Sequence, residues 1–134
     1  MIPRAAFAAL LFGSAAALAE PGERITLYCG GGFTGGGGGV AAEADGRLLR
    51  LRRPRAGAPL EQMSVEGRTA PYARWSALLD AARFDTLPRG EPGNMTCGIT
   101  RGAHHVMWPS THTPTTLPAP LRDLVTEMRD ATRE

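Results

Sequence analysis

Arg24-Ile-Thr-Leu-Tyr-Cys29 alternates polar and apolar residues, which places Ile25, Leu27 and Cys29 on one side and predicts a first β-strand. Eight glycines then fall between Gly30 and Gly39, interrupted only by Phe33-Thr34. With almost no side chains to pack, this run predicts a loop that is mobile in part. From Val40 to Arg53 the pattern predicts a hairpin that turns at Asp45-Gly46. A two-residue turn there pairs Ala44 with Arg47, Ala42 with Leu49 and Val40 with Leu51, and sets Glu43 against Leu48 and Ala41 against Arg50. One face becomes largely apolar and the other largely polar, as a half-buried sheet requires.

Arg53 to Pro59 reads as a connector and Gln62 to Glu66 as another short strand. Thr69 to Arg83 predicts a helix, with Thr69 at the N-cap and Pro71 in the first turn. Tyr72, Trp75, Leu78, Leu79 and Ala82 recur at spacings of three and four and form its apolar stripe. Met95 to Arg101 and Ala103 to Trp108 predict a second hairpin around Arg101-Gly102, with a bulge because arginine suits a primed turn poorly. Leu117 to Arg133 predicts the last helix, started by Pro118 or Pro120, with Leu121, Leu124, Val125 and Met128 on one side. The expected architecture is α+β: an antiparallel sheet of four to five strands with two helices packed on one face. Trp75 on the helix stripe with Leu78 and Leu79, and Trp108 on the inward side of the second hairpin, predict that these two rings are buried between helix and sheet.

The first residues add a different element. Arg4, the apolar stretch Ala5 to Leu18 and Ala17-Leu18-Ala19 are in the order of a cleavable export signal, so residues 1–19 are expected to be removed and 20–134 to form a single small α+β domain. The apolar run is shorter than the roughly 20 residues of a membrane span. All 15 basic residues are arginine. That usage is typical of a GC-rich bacterial gene, so the expected destination is the periplasm or the medium. Without Arg4 the arginines number 14 against 13 acids, a balance with no global bias towards nucleic acid or anionic membrane. Cys29 and Cys97 in an exported chain predict a disulfide, and neither has the C-x-x-C partner of a metal site. Both lie on inward strand faces, where they can meet if their strands are neighbours.

Candidate chemistry is sparse. The glycine run lacks the Gly-Lys-Ser/Thr of a phosphate loop, and a strand rather than a helix follows it. His104 and His105 are adjacent in a strand and point to opposite faces, so with His112 they make a poor metal set. Ser64, Ser76 and Ser110 sit in no nucleophile turn, and the carboxylates Asp80, Asp85, Glu91, Asp123, Glu127 and Asp130 fall on helix surfaces or in loops. No enzyme, cofactor or metal is expected. Arg47, Arg50, Arg52, Arg53 and Arg55 form the one dense charge cluster, without aromatic partners for bases, and read as a solvated edge strand. Asn94-Met95-Thr96 is a chance glycosylation match in a bacterial setting. Phe33 stands alone among glycines, and two readings of it stay open: a side chain of the domain's own core, or the apolar tip of a recognition loop.

Four segments together resemble a known family: Tyr28 to Gly35, Leu78 to Pro88, Cys97 to Gly102 with His105-Val106, and Leu117 to Val125. In order and type they are similar to the emfourin family, whose members carry a Gly-Gly-Phe-x-Gly element after the first strand of a small α+β fold. The resemblance implies an inhibitor of a thermolysin-like metallopeptidase; Gly31, Gly32, Phe33 and Gly35 match the family's most recognisable element, and Gly31, Gly32, Phe33, Thr34 and Gly35 of the loop are the expected binding residues. The expected partner is thus a protein, an exported metallopeptidase. A non-inhibitory interaction module of the cell envelope, using the same loop or the arginine patch, is the alternative.

Overall fold

Two helices cover one face of a six-stranded antiparallel sheet in a computed structural model that describes residues 22–133. The expected export signal lies outside the described residues. The strands are β1 (Ile25–Gly31), β2 (Gly37–Ala42), β3 (Arg47–Arg53), β4 (Glu61–Thr69), β5 (Met95–Arg101) and β6 (His104–Trp108). The helices are α1 (Tyr72–Ala81) and α2 (Ala119–Ala131), and a short 3-10 turn, Phe84–Thr86, follows α1. Strand order is β4-β3-β2-β1-β5-β6, so the two cysteine-bearing strands, β1 and β5, are interior neighbours. The α+β class is as expected; six strands exceed the four to five expected.

One of the differences lies in the glycine run. Gly37, Gly38 and Gly39 are not loop but the start of β2, opposite Gly30, Cys29 and Tyr28 of β1 and Arg53, Arg52 and Leu51 of β3. The backbones approach closely there, and a Cβ on Gly39 would lie 2.0 Å from the Leu27 carbonyl oxygen. Glycine in this strand is a packing requirement.

The β2–β3 hairpin also differs in register. Ala42 faces Leu48, Ala41 faces Leu49 and Val40 faces Arg50, one residue away from the expected pairing. The cause is a three-residue turn: Glu43 N–H donates to Arg47 O at 3.0 Å and Gly46 N–H to Glu43 O at 2.9 Å, with Gly46 at φ 96°. A one-residue slip exchanges the faces of a strand. Leu48 therefore enters the main core, while Leu49 and Leu51 join Ala41 in a second small cluster on the face away from the helices, with Tyr28 and Leu60 against it.

The other hairpin turns at Gly102-Ala103, since Arg101 pairs with His104, and it needs no bulge. Gly102 at φ 62° occupies the first turn position, where a type II′ turn places glycine. Thr69, expected at the helix N-cap, is instead the last residue of β4, because Ala70 N–H donates to Gly46 O at 2.8 Å and keeps the chain beside the hairpin. Pro71 precedes the first helical turn, and Arg83 in the left-handed conformation (φ 55°) ends α1.

Between sheet and helices, Ile25, Leu27, Ile99 and Val106 meet Leu79, Leu121, Leu124 and Met128. Trp75 and Trp108 are 1% and 2% exposed, as the periodicity predicts. Burying side chains of this size is worth roughly 1.5–3 kcal/mol each. Trp75 Nε1 donates to Glu127 Oε1 at 3.2 Å, which ties α1 to α2. Arg50 and Arg68 donate to the Thr132 and Ala131 carbonyls at 2.7 and 2.8 Å and so place positive charge at the C-terminal end of α2.

The arginine cluster is thereby taken apart. β3 is an interior strand, not an edge; besides Arg50, Arg47 pairs with Asp45 at 3.1 Å and Arg52 with Glu61 at 3.2 Å. No described helix is long and apolar enough to cross a membrane.

Candidate functional site

β1 ends at Gly31 and β2 begins at Gly37, so Phe33 lies at the apex of the short connection between two central strands. Hydrogen bonds hold both flanks of that connection. Gly31 N–H donates to Gly36 O at 2.9 Å across the turn, and Thr34 Oγ1 accepts from Gly36 N–H at 3.2 Å. On one side Gly32 N–H donates to Asn94 O at 2.7 Å; on the other Ala56 N–H donates to Thr34 O at 2.9 Å. The mobile loop expected from composition is therefore a turn fastened to the segments before β5 and after β3.

Three of its glycines have positive φ: Gly31 at 117°, Gly32 at 73° and Gly35 at 71°. Space forbids a side chain as well. A Cβ on Gly31 would lie 2.4 Å from Asn94 O, and one on Gly35 would lie 2.5 Å from Ala56 Cβ. These glycines are needed for the shape that lifts Phe33 out.

Phe33 itself has a relative exposure of 106%, which decides between its two readings: the ring has no place in the domain's own core. A phenylalanine forgoes roughly 1.5–3 kcal/mol by remaining in water. Among the described residues the other large exposed apolar side chain is Met63, on the edge strand β4.

Cys29 and Cys97 form the expected disulfide directly below this turn, with Cα atoms 4.0 Å apart. Arg129 of α2 places Nη2 3.9 Å from Cys29 Sγ and 3.8 Å from Cys97 Sγ, and donates to Thr111 O at 2.7 Å.

The histidines divide as strand geometry requires. His104 sits on the helix side, edge-on to Phe84 with ring centres 5.0 Å apart and Nε2 3.0 Å from Leu87 O. His105 sits on the opposite face, its Nδ1 2.6 Å from Thr100 Oγ1. Burial, then the positive charge of Arg89, holds His105 below the usual imidazole range. His112 lies in the loop before α2, and no described group of three His, Cys, Asp or Glu could hold a metal ion.

No family model, curated protein or solved structure matches this chain. The site must therefore be read from its own residues. The Gly31, Gly32, Phe33, Thr34 and Gly35 segment is brought together as one presented turn. Sequence reasoning missed its supports, Ala56 and Asn94, which are backbone anchors with no side-chain signal. It also missed Tyr28, whose neighbours across both strands, Gly39 and Gly98, become visible only once the register is known.

Proposed function

We propose that this chain is an exported binding protein that inhibits a thermolysin-like metallopeptidase by placing Phe33 in its substrate cleft. The observation that carries this reading is a fully exposed phenylalanine at the apex of a turn fastened on both sides. Aromatic side chains of this kind bring 150–250 Å² of apolar area to an interface with few rotatable bonds. Because the turn is already ordered by its bonds to Asn94 and Ala56, docking it forgoes little of the roughly 1–2 kcal/mol per residue that ordering a free loop costs. The mechanism is occupation of a cleft, with no bond made or broken by the inhibitor.

The peptidase class comes from the likeness of Tyr28 to Gly35 and three further segments to emfourins. Export to the periplasm or medium comes from the pattern of residues 1–19 and agrees with a cysteine pair joined as a disulfide. A panel of exported peptidases, thermolysin-like enzymes among them, titrated with the purified protein is the test. Inhibition of the metallopeptidases is expected; inertness towards the whole panel overturns the inhibitor reading. A non-inhibitory envelope interaction module is the second reading, favoured by Met63, which gives the edge strand β4 an apolar contact of its own.

A further inference from the structure

On the sheet face away from the helices, a cavity of about 260 Å³ opens beside the Phe33 turn. Tyr28, Arg53, Gly98 and His105 line it, and Gly31 and Gly35 lie at its end nearest Phe33. The hollow exists because side chains are missing around Tyr28, which faces Gly39 on one strand and Gly98 on the other. A Cβ on Gly98 would lie 2.7 Å from the His105 ring, so the floor cannot be raised.

Arg53 lines this hollow and differs from the other arginines of its strand. Of the four arginines in β3, Arg47 and Arg52 are paired with carboxylates and Arg50 serves the end of α2. Arg53 has no carboxylate partner among the described residues. Its Nε donates to Ala58 O at 3.0 Å, and its guanidinium carbon lies 5.9 Å from the Tyr28 ring centre. Those two contacts fix the side chain and leave both terminal nitrogens without a hydrogen-bond partner among the described residues. A held guanidinium with free Nη donors matches the two oxygens of a carboxylate. Only one such cation faces the cavity, which suits a single carboxylate better than the row of charges in a nucleic-acid backbone.

We propose that this hollow is a carboxylate-binding subsite in which the Arg53 Nη atoms donate to an acidic side chain of a protein partner, beside the point where Phe33 enters it. That the acidic residue belongs to the protein that takes Phe33 rests on the proposed function; the carboxylate site itself does not.

The test is amide-shift mapping of the purified protein with N-acetyl-glutamate amide, N-acetyl-glutamine amide and acetate as the added molecules. The capped glutamate is expected to give saturable shifts at Tyr28, Gly98 and His105, and the capped glutamine none. Arg53→Gln, with its fold checked in the same spectra, is expected to weaken the glutamate response by about tenfold or more. Phe33→Ala is expected to leave it unchanged. Equal shifts from glutamine, or an undiminished response in Arg53→Gln, overturn the site. Acetate binding as tightly as the capped glutamate assigns the hollow to small free carboxylates and overturns the partner assignment. A normal glutamate response in a protein that inhibits no peptidase sinks the inhibitor reading alone.

Discussion

Cys29 on β1 and Cys97 on β5 stand directly opposite each other, joined by a disulfide across a sequence separation of 68. The bond ties the strand that leads into the Phe33 turn to the strand that follows its Asn94 anchor. Closing a loop of this length stabilises by about 4 kcal/mol on the chain-entropy model. Thiol titration of the unreduced protein is expected to find no free thiol, and reduction to lower the unfolding free energy by about that amount. Two titratable thiols in the protein recovered from an oxidising compartment would contradict this.

Trp75 joins α1 both to the core and to Glu127 of α2. Trp75→Ala is expected to cost about 3–5 kcal/mol, measured by urea unfolding. A loss below about 1 kcal/mol would mean that the ring is not the packing centre described above.

Stability should fall with acidity in two steps. His105 is held below its usual value of 6.5 by burial, then by Arg89 and His104, so the fold favours its neutral form. Protonation thus favours the unfolded chain, and this contribution is present above about pH 6.5 and lost as pH falls below it. Glu43 and Glu127 are lowered from 4.5, chiefly by hydrogen bonds from Arg24 and Arg74. Their contribution is present above about pH 4.5 and declines as pH falls through their lowered values. Both carboxylates are partly solvated, so this second step is modest. Melting temperatures across that range should show a shallower acid limb in Glu127→Gln, and His105→Asn should flatten the upper step. An unchanged profile in both variants would refute the assignment.

Two glycines with similar backbone angles should respond differently to alanine. Gly46→Ala meets nothing within 4 Å, so its cost is backbone strain alone, about 1–2 kcal/mol. Gly35→Ala adds a clash with Ala56 at 2.5 Å and is expected to cost more and to displace the Phe33 turn. Equal thermal destabilisation by the two would show that Ala56 yields without resistance.

Much of the fold is legible in the residues. Alternation in β1, β5 and β6 and the stripes of Trp75-Leu79 and Leu121-Leu124-Val125-Met128 give the layers, and they place both cysteines on facing inward positions. Gly37 to Gly39 escape such reading because a strand without side chains has no pattern; only the nearness of the Leu27 carbonyl explains them. Asp45-Gly46 marks the turn but not its length, and that one residue decides which side of β3 each leucine takes. At the candidate site the Gly31-Gly32-Phe33-Thr34-Gly35 element is visible as letters. Its fastening to Asn94 and Ala56 is carried by backbone groups, which every residue possesses, and so leaves no trace in composition.

Inhibition of a purified thermolysin-like metallopeptidase by the wild-type protein and by Phe33→Ala, compared at equal melting temperature, tests the central claim most directly. Since Phe33 makes no core contact, the substitution should leave the unfolding free energy unchanged within about 0.5 kcal/mol. It should weaken inhibition by at least about thirtyfold, which is the loss of a central aromatic anchor worth roughly 2 kcal/mol or more. Equal inhibition by the two proteins, or a marked loss of stability in Phe33→Ala, would contradict the account.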